Sequence, residues 1–509
     1  HTHTRTCAWR SHEHWRRNVE RNHRSPFKFN FYMSACVSKT LLVVSSYTRF
    51  DNLAHGPLGT EAKYAMRTYE LDLSNGHLTL LSINSEPGND CLNPAFSRMH
   101  PTKNTLYACT ESVEENGEIV SWNVHPQTGK LTKIGSADAH GTSTCYIILD
   151  RAMKNSLVVN YWNATIVVLP IDSMTGAVTS DVVDLHDPNK GRRMSASHTT
   201  HVNHSNNDKF AQEERQLDPH SHAAVLDPFF GQIVYVPDLG MDLIRQLIYN
   251  EETGHLVAAG EVKSGKPGDK ALGPRYIDFH PSLPIAYVVN ELSSEVAVFS
   301  FDMTTAKTLI DATNSKVPLD SSCESKTLNL IQNVSTLPAA FPQELNTCGR
   351  ISVHNTGGYL LVSNRGHDSI AVFNIDQISG MLVGPTWHHT RGSTPRHFQF
   401  EPSGQWLIVA CQDSDALVVF RFNLSTGALE YTGNTYKVPS PNFVCCFKPR
   451  TSSAHGLAVS PQRVLGVSAS FGEICPAEKL AKLKKLFDIH AISADEYNNK
   501  KKVFLAQMV

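Results

Sequence analysis

Short stretches of alternating or uninterrupted apolar residues recur along most of the chain. A strand, a turn and a second strand appear first as Asn93–Pro101 followed by Thr105–Glu111. Each such frame continues into a third alternating strand, such as Val296–Phe301 or Leu417–Phe422, and a fourth strand leads into the next frame. Six complete frames follow a partial one at Leu41–Tyr47. Four short strands per unit of roughly 50 residues predict an all-β fold, a seven-bladed β-propeller of four-stranded blades.

Two positions, 16 residues apart, recur in every complete frame. Equivalent positions on different blades of a propeller lie on one ring around its axis, so we expect both positions to face the central channel. The alternative is that they are blade edges facing solvent. Charged and aromatic residues at these positions, beside apolar strands, favour the channel, because binding sites are concave and carry a few convergent polar groups. The pairs are Ala95/Glu111, Cys145/Tyr161, His222/Asp238, Arg275/Glu291, Gly349/Arg365 and Arg396/Gln412, and Tyr47 fits the second position of the partial frame.

Composition and charge exclude several classes of partner. Lys and Arg number 46 against 48 Asp and Glu, a formal net charge of −2, so no basic surface for nucleic acid is expected. No stretch approaches the roughly 20 apolar residues of a membrane helix. Walker and G-x-G-x-x-G motifs are absent. Cys109, Cys145 and Cys411 lie in apolar strand patterns typical of buried free thiols, which suits a reducing, cytoplasmic location.

The sequence on either side of the repeats has a different character. Residues 1–32 are rich in Arg and His without strand or helix periodicity, and we expect a disordered or non-native extension. The propeller is expected over 33–449, followed by a Ser- and Gly-rich linker over 450–474. Residues 475–509 predict a small helical hairpin with a leucine stripe and the capping box Ser493–Glu496. This hairpin resembles the SHOCT domain, and self-association through it is a hypothesis.

The repeats resemble the seven-bladed lactonase family, which includes 6-phosphogluconolactonase and fungal carboxymuconate-lactonising enzyme. The resemblance covers roughly Leu41 to Pro449 and depends on several motifs together: Pro219–His222 with Asp227-Pro228, Val236–Gly240, Gly273–Arg275, Tyr287–Ser293, Val362–Ile370 and Thr394–Phe398. It implies a catalytic set of His222, Arg275, Glu291 and Arg365. All four lie on the two rings.

The resemblance and the rings together suggest the following chemistry. His222, or its neighbour His220, is the candidate general base. Arg275 and Arg365 are candidates for stabilising an oxyanion and binding an anionic substrate group. Glu291 could orient an Arg or His, or transfer a proton. The alternative is an Arg–Glu ion-pair belt that only joins blades. The further candidates for substrate binding are His220, Asp238, Arg396, Gln412, Glu111 and Tyr161.

The histidines raise the question of a metal site. His198, His201 and His204 lie three residues apart, with two more histidines downstream. Their Ser-, Thr- and Asn-rich segment has no strand or helix pattern to fix ligand geometry, so we expect solvated loop histidines, no metal and no other cofactor.

The family resemblance implies hydrolysis of a small sugar-acid lactone, with 6-phosphogluconolactone as first candidate. A muconate-lactonising cycloisomerase and a non-enzymatic scaffold are the alternatives, and the convergent charge on the rings argues against the scaffold. Two departures from relatives, Cys145-Tyr146 and Gly349-Arg350, leave the substrate open. Two insertions, 173–217 and 303–346, are expected to decorate one face of the propeller.

Overall fold

The computed structural model describes residues 39–86, 88, 91–191, 215–266, 271–315 and 326–450. These residues form seven four-stranded antiparallel sheets, which confirms the predicted all-β, seven-bladed β-propeller. The predicted N-terminal extension (1–32), the linker beyond residue 450 and the helical hairpin (475–509) lie outside the described residues. None of the helices in the described part of the chain is long and apolar enough to cross a membrane.

The strands are as follows. Blade 1 contains β28 (Pro441–Phe447), β1 (Thr40–Ser46), β2 (Met66–Leu71) and β3 (Leu78–Ile83). Blade 2 contains β4 (Pro94–Met99), β5 (Thr105–Thr110), β6 (Glu118–Val124) and β7 (Leu131–Asp138). Blade 3 contains β8 (Thr144–Leu149), β9 (Asn155–Asn160), β10 (Ile166–Pro170) and β11 (Asp184–His186). Blade 4 contains β12 (Val225–Leu226), β13 (Ile233–Asp238), β14 (Leu243–Tyr249) and β15 (Leu256–Lys263). Blade 5 contains β16 (Pro274–Phe279), β17 (Ile285–Asn290), β18 (Glu295–Phe301) and β19 (Leu328–Ser335). Blade 6 contains β20 (Thr347–Val353), β21 (Tyr359–Arg365), β22 (Ser369–Ile375) and β23 (Leu382–His389). Blade 7 contains β24 (Pro395–Phe400), β25 (Trp406–Cys411), β26 (Ala416–Phe422) and β27 (Leu429–Lys437).

Burial changes from the inside of each blade to its outside. Every residue of the second strand of blade 5, β17, is buried, because neighbouring blades cover both of its faces. The outermost strand of blade 7, β27, alternates between exposed and more buried residues instead. This difference explains why the inner strands are continuous apolar runs in the sequence. The seven cysteines in the described residues are free and buried, as expected for Cys109, Cys145 and Cys411.

Blade 1 joins the two ends of the repeat region. β28 pairs with β1, with Leu41 opposite Phe447 and Val44 opposite Val444. The partial frame at the start of the chain is therefore completed by a strand from the end of the repeats. This pairing closes the ring of blades and leaves no open edge between the first blade and the last.

The two predicted insertions are partly blade structure, which corrects the expectation that they decorate one face. Residues 173–217 include β11, and residues 303–346 include β19, the outermost strands of blades 3 and 5. Each strand pairs with the strand inside it. The second insertion also contains α1 (Met303–Asn314), whose buried Ala306, Leu309 and Ile310 pack in the same apolar cluster as β14 and β18 residues. β11 has only three residues and β19 is half polar, so neither shows a clear apolar pattern.

Candidate active site

A β-bulge lies at the first ring position in six blades, and in five of them the bulged residue faces the central cavity. In blade 2, Pro94 pairs with Thr110 and Phe96 pairs with Cys109, so Ala95 between them has no partner. Bulges bend a strand locally and re-aim a side chain. In five blades the residue two positions before the ring residue has a positive φ, an uncommon conformation for residues other than Gly. These residues are Asn93, Ser143, Gly273, Thr394 and Ser440. The bulges lie at Ala95, Cys145, Arg275, Gly349-Arg350, Arg396 and Asn442.

The side chains brought together by this arrangement surround a central cavity. It contains seven of the ten predicted site residues: His222, Arg275, Glu291, Arg365, Arg396, Glu111 and Tyr161. The remaining lining residues are Ala54, His55, Ala95, Cys145, Trp162, Arg215, Tyr276, His397, Asn442 and Phe443. Both ring positions therefore contribute to one cavity, as the repeat spacing predicted.

Glu291 is the centre of the largest charge cluster in the cavity. Its Oε2 lies 2.8 Å from Nε of Arg275, and its Oε1 lies 3.0 Å from an Nη of Arg365. A third guanidinium, of Arg215, donates to Oε1 at 2.6 Å. Burial raises the pKa of Glu291, but the attraction of these three arginines outweighs burial and holds that pKa well below its usual range. Glu291 is therefore a permanent anion at neutral pH and cannot serve as a proton donor.

Backbone carbonyls hold the two ring arginines in place. Arg275 donates to the carbonyl of Gly349 at 3.0 Å, and Arg365 donates to the carbonyl of Cys348 at 2.7 Å. A Cβ at Gly349 would lie 2.6 Å from Oγ of Ser363, so the two-residue bulge in this blade needs glycine. Burial lowers the pKa of Arg365 to about 10. Arg365 thus remains charged at neutral pH.

His222 lies between two aromatic rings. Tyr161 and Tyr276 contact it edge-on, at centroid distances of 5.2 and 5.3 Å. Its Nδ1 is buried and makes no hydrogen bond to the described residues. Burial, and then the charge of Arg275, lower the pKa of His222 well below its usual value. The imidazole is therefore neutral at neutral pH, the form that can accept a proton.

A second carboxylate, Glu111, lies in a different part of the lining. Tyr47 donates its hydroxyl hydrogen to Oε2 of Glu111 at 2.8 Å. Nδ1 of His55 lies 3.8 Å from Oε1 of the same carboxylate. The guanidinium of Arg396 lies over the Tyr47 ring, 5.4 Å from its centroid. These four residues form a second polar group, and no ion pair among the described residues joins it to the Glu291 cluster.

Aromatic side chains form a layer next to the polar rings. The residue after the ring position is aromatic in five blades, and these rings contact one another from blade to blade. Phe96 lies 4.3 Å from Tyr146 and 4.6 Å from Phe443, and His397 stacks on Phe443 at 3.7 Å. Tyr146 in turn lies 5.7 Å from Tyr276. An apolar layer beside buried charges lowers the local dielectric and strengthens their interactions.

Three of the predicted substrate-binding residues do not line the cavity. Asp238 is fully buried and forms an ion pair with Arg245 at 2.7 Å. The backbone N–H of His220 donates to Asp238, and the His220 ring stacks on Tyr161 at 4.7 Å, behind the lining. Gln412 donates to Asp413 at 3.1 Å. In blade 4 Ser221 pairs with Asp238, as Pro274 pairs with Asn290 in blade 5, so Leu239 and not Asp238 occupies the second ring position.

Eight lining residues were not predicted from the sequence, and four of them have a charged, amide or imidazole side chain: His55, Arg215, His397 and Asn442. Asn442 occupies the first ring position of blade 1, and His397 follows that position in blade 7. The repeated combination of Pro, ring residue and aromatic residue, seen in Pro94–Phe96 and Pro441–Phe443, could have identified Asn442. Arg215 and His55 lie in irregular segments where no periodic signal exists.

No group of three or more His, Cys, Asp or Glu within the described ranges could hold a metal ion. His198, His201 and His204 lie outside those ranges. The main carboxylate of the cavity, Glu291, is already engaged by three guanidinium groups.

Comparisons with known proteins identify the family and the fold. The family described as "Lactonase, 7-bladed beta-propeller" matches residues 42–446. A 6-phosphogluconolactonase of Bacillus subtilis is 30% identical over 384 residues, 75% of this chain and 93% of its own. A 6-phosphogluconolactonase of Formosa agariphila is 27% identical over 371 residues, 72% of this chain and 90% of its own.

Solved structures show the same fold. The periplasmic gluconolactonase of Pseudomonas aeruginosa is similar with a TM-score of 0.62 at 23% identity, over 81% of this chain and 100% of that one. A protein of Lactobacillus plantarum is similar with a TM-score of 0.61 at 22% identity, over 80% of this chain and 99% of that one. The family match, the Bacillus relative and the fold lead to one conclusion: the chain belongs to the seven-bladed β-propeller lactonase family.

Proposed function

We propose that this protein hydrolyses the lactone of a phosphorylated sugar acid, 6-phosphogluconolactone, without a metal ion. The observation that carries the proposal is the charge of the cavity. Four guanidinium groups line it, those of Arg215, Arg275, Arg365 and Arg396, against the two carboxylates of Glu111 and Glu291. The excess of about two positive charges matches a phosphate monoester, whose charge is about −1.5 to −2 at neutral pH. The names of the relatives from Bacillus and Formosa support the same substrate class.

Arg396 is the best candidate for binding the phosphate. Arg215, Arg275 and Arg365 all form ion pairs with Glu291. Arg396 lies over the Tyr47 ring instead, and within the described part of the chain no ion pair to a carboxylate is found for it. Its guanidinium interacts with the Tyr47 hydroxyl and with the charge of Glu111 but is not fixed in an ion pair, so it is better able than the other three to bind two phosphate oxygens, a geometry that guanidinium groups favour.

The Glu291 cluster supplies the means to stabilise the transition state. Attack of water on the lactone carbonyl produces a tetrahedral oxyanion. Arg275 and Arg365 offer fixed, charged donors to that oxygen, and Glu291 keeps both guanidinium groups oriented. Because the cluster is already organised, little reorganisation is needed when the negative charge develops.

A cavity histidine completes the reaction. Neutral His222 accepts a proton from the attacking water, the bond between the carbonyl carbon and the ring oxygen breaks, and the ring oxygen gains a proton to become a hydroxyl group. The product is the open-chain sugar acid. His222 is better placed for this role than its neighbour His220, whose ring lies behind Tyr161.

Substrate choice is tested with 6-phosphogluconolactone, unphosphorylated gluconolactone and a carboxymuconate, the substrate of the alternative cycloisomerase. Spontaneous lactone hydrolysis is subtracted. We expect the highest kcat/KM for the phosphorylated lactone. Arg396→Met should raise KM for that substrate and leave KM for gluconolactone nearly unchanged, because only the phosphate contact is lost. Arg421→Met, at an exposed position of β26, is the matched control.

Four outcomes would contradict the proposal. Equal loss on both lactones in Arg396→Met would remove Arg396 as the phosphate ligand. Turnover of the muconate alone would favour the cycloisomerase, and no turnover by folded protein would favour a scaffold. Loss of activity in a chelator, restored by a divalent ion, would contradict metal-free catalysis.

A further inference from the structure

His55 is a buried histidine that the mechanism above does not use. It lies in the loop between β1 and β2, lines the cavity and is only 8% exposed. Its neighbours belong to blades 1, 2 and 7, whereas His222 contacts Tyr161 and Tyr276 of blades 3 and 5. The two histidines therefore occupy opposite sides of the cavity.

The loop that carries His55 is attached to the propeller at both ends. On the blade 2 side, the side chain of Asn93 accepts from the backbone N–H of Thr48 at 2.7 Å. On the blade 7 side, Asp415 accepts from the backbone N–H of Thr60 at 2.8 Å and from its hydroxyl at 2.6 Å. These contacts fix the position of His55 although the loop has no regular secondary structure.

The imidazole of His55 has different surroundings at its two nitrogens. Nδ1 lies 3.8 Å from the carboxylate of Glu111, which Tyr47 holds by a hydrogen bond. Nε2 is buried and makes no hydrogen bond to the described residues. The separation between Nδ1 and the Glu111 carboxylate is longer than a hydrogen bond, so the carboxylate acts on the ring through its charge, which favours the imidazolium. His222 forms no ion pair with a carboxylate in the described residues, although the charge of Glu291 acts on it and raises its pKa.

Charged groups around His55 connect its protonation to substrate binding. Burial lowers the pKa of His55 well below its usual value, and the charges of Arg396, Arg365 and Arg215 lower it further, while Gln412 raises it. The Glu111 carboxylate and the Tyr47 hydroxyl face the same ring. An anionic phosphate at Arg396 offsets positive charge there and so favours uptake of a proton by His55. Protonation would then follow substrate binding.

We propose that His55 is a second proton-transfer residue, which donates a proton from Nε2 to the ring oxygen as the lactone C–O bond breaks, with Glu111 as its positioning residue. The proposal rests on the proposed lactone hydrolysis. The water proton passes to His222, the ring oxygen receives the His55 proton, and solvent restores both histidines. The net reaction adds one water to the lactone.

The experiment compares two lactones that differ in their leaving oxygen. The first is 6-phosphogluconolactone, the sugar lactone of this test, whose leaving group is an alkoxide that needs a proton when the bond breaks. A phenoxide leaving group, as in dihydrocoumarin, leaves without one. We expect His55→Gln to lower kcat on the sugar lactone by about 10²-fold or more and to change kcat on the aryl lactone little. Glu111→Gln should also lower kcat on the sugar lactone and change kcat on the aryl lactone little, but its loss on the sugar lactone should be smaller.

His222→Gln is the internal comparison, because a base that activates water is needed for both lactones. It should lower kcat on the two substrates alike. Equal losses on both lactones in His55→Gln, at an unchanged melting temperature, would mean that His55 is structural and would overturn the proposal. If His55→Gln does not fold, the same comparison of kcat on the two lactones is made with Glu111→Gln, and equal losses would again overturn the proposal. Failure of the proposed function itself would be evident separately, because the wild-type protein would hydrolyse neither lactone.

Discussion

Nε of Arg275 lies 2.8 Å from Oε2 of Glu291, and the two residues occupy the two ring positions of blade 5. The bulge in β16 turns Arg275 toward the axis, and Glu291 follows the last residue of β17. The same carboxylate also binds Arg365 of blade 6 and Arg215, which precedes blade 4. One anion thus joins neighbouring parts of the propeller and organises the guanidinium groups of the cavity.

Replacement of Glu291 by Gln should strongly destabilise the protein. Three buried guanidinium groups would lose their shared anion, and breaking a buried ion pair by removing one partner costs about 3–5 kcal/mol. Urea unfolding of the variant, with the wild type alongside, measures this loss. A variant as stable as the wild type would mean that solvent, rather than Glu291, compensates these arginines.

Stability should fall as the pH falls below about 6.5. The pKa values of His55, His222 and His397 are held well below 6.5, chiefly by burial. In the unfolded chain these histidines gain protons near pH 6.5, whereas in the folded protein they stay neutral until much lower pH. Each histidine should therefore lower the free energy of unfolding by about 1.4 kcal/mol for every unit by which the pH falls, between pH 6.5 and the pKa of that histidine in the folded protein.

His397→Asn isolates one of these contributions. The asparagine oxygen can replace Nδ1, which accepts from the backbone N–H of Val444 at 3.3 Å. Urea unfolding at pH 7.5, 6.5 and 5.5 should show a shallower decline for the variant than for the wild type. Parallel declines would show that His397 is not kept neutral by the fold.

The pH dependence of catalysis should identify the base. Because burial and Arg275 lower the pKa of His222, the acid limb of kcat/KM should lie below pH 6.5. Gluconolactone is the substrate for this measurement, since it has no phosphate that titrates in the same range. His222→Gln should lower the rate and remove the limb. An acid limb that survives in this variant would assign the base to another residue.

The sequence predicts the site best where the repeat is regular. Arg275, Glu291 and Arg365 could be identified because equivalent residues recur at fixed spacing in blades whose inner strands are continuous and buried. The prediction was less successful in blade 4, where Asp238 pairs with Ser221, lies one residue before the second ring position and binds Arg245 instead. Arg215 and His55 reach the cavity from irregular segments, whose path depends on tertiary contacts that have no periodic signal.

The closure of blade 1 predicts different results for two truncations. A chain that ends at residue 450 retains β28 and should keep its melting temperature and its turnover. A chain that ends at residue 440 lacks β28, exposes the edge of β1 and should not fold. Sedimentation of the longer truncation also tests self-association, because residues 475–509 are then absent. A folded but inactive protein ending at 450 would mean that the C-terminal residues take part in chemistry.

The central claim is that the arginines of the ring stabilise the transition state of lactone hydrolysis. The most direct test is to measure the melting temperature and the hydrolysis of 6-phosphogluconolactone for Arg275→Met, with Arg421→Met as the exposed control. Glu291 keeps two arginine partners in this variant, so the melting temperature should change little. The turnover number should fall by about 10²–10³-fold, the scale for the loss of one oxyanion donor. A folded Arg275→Met variant with a near-normal rate would contradict the account, because the ring would then not be the active site.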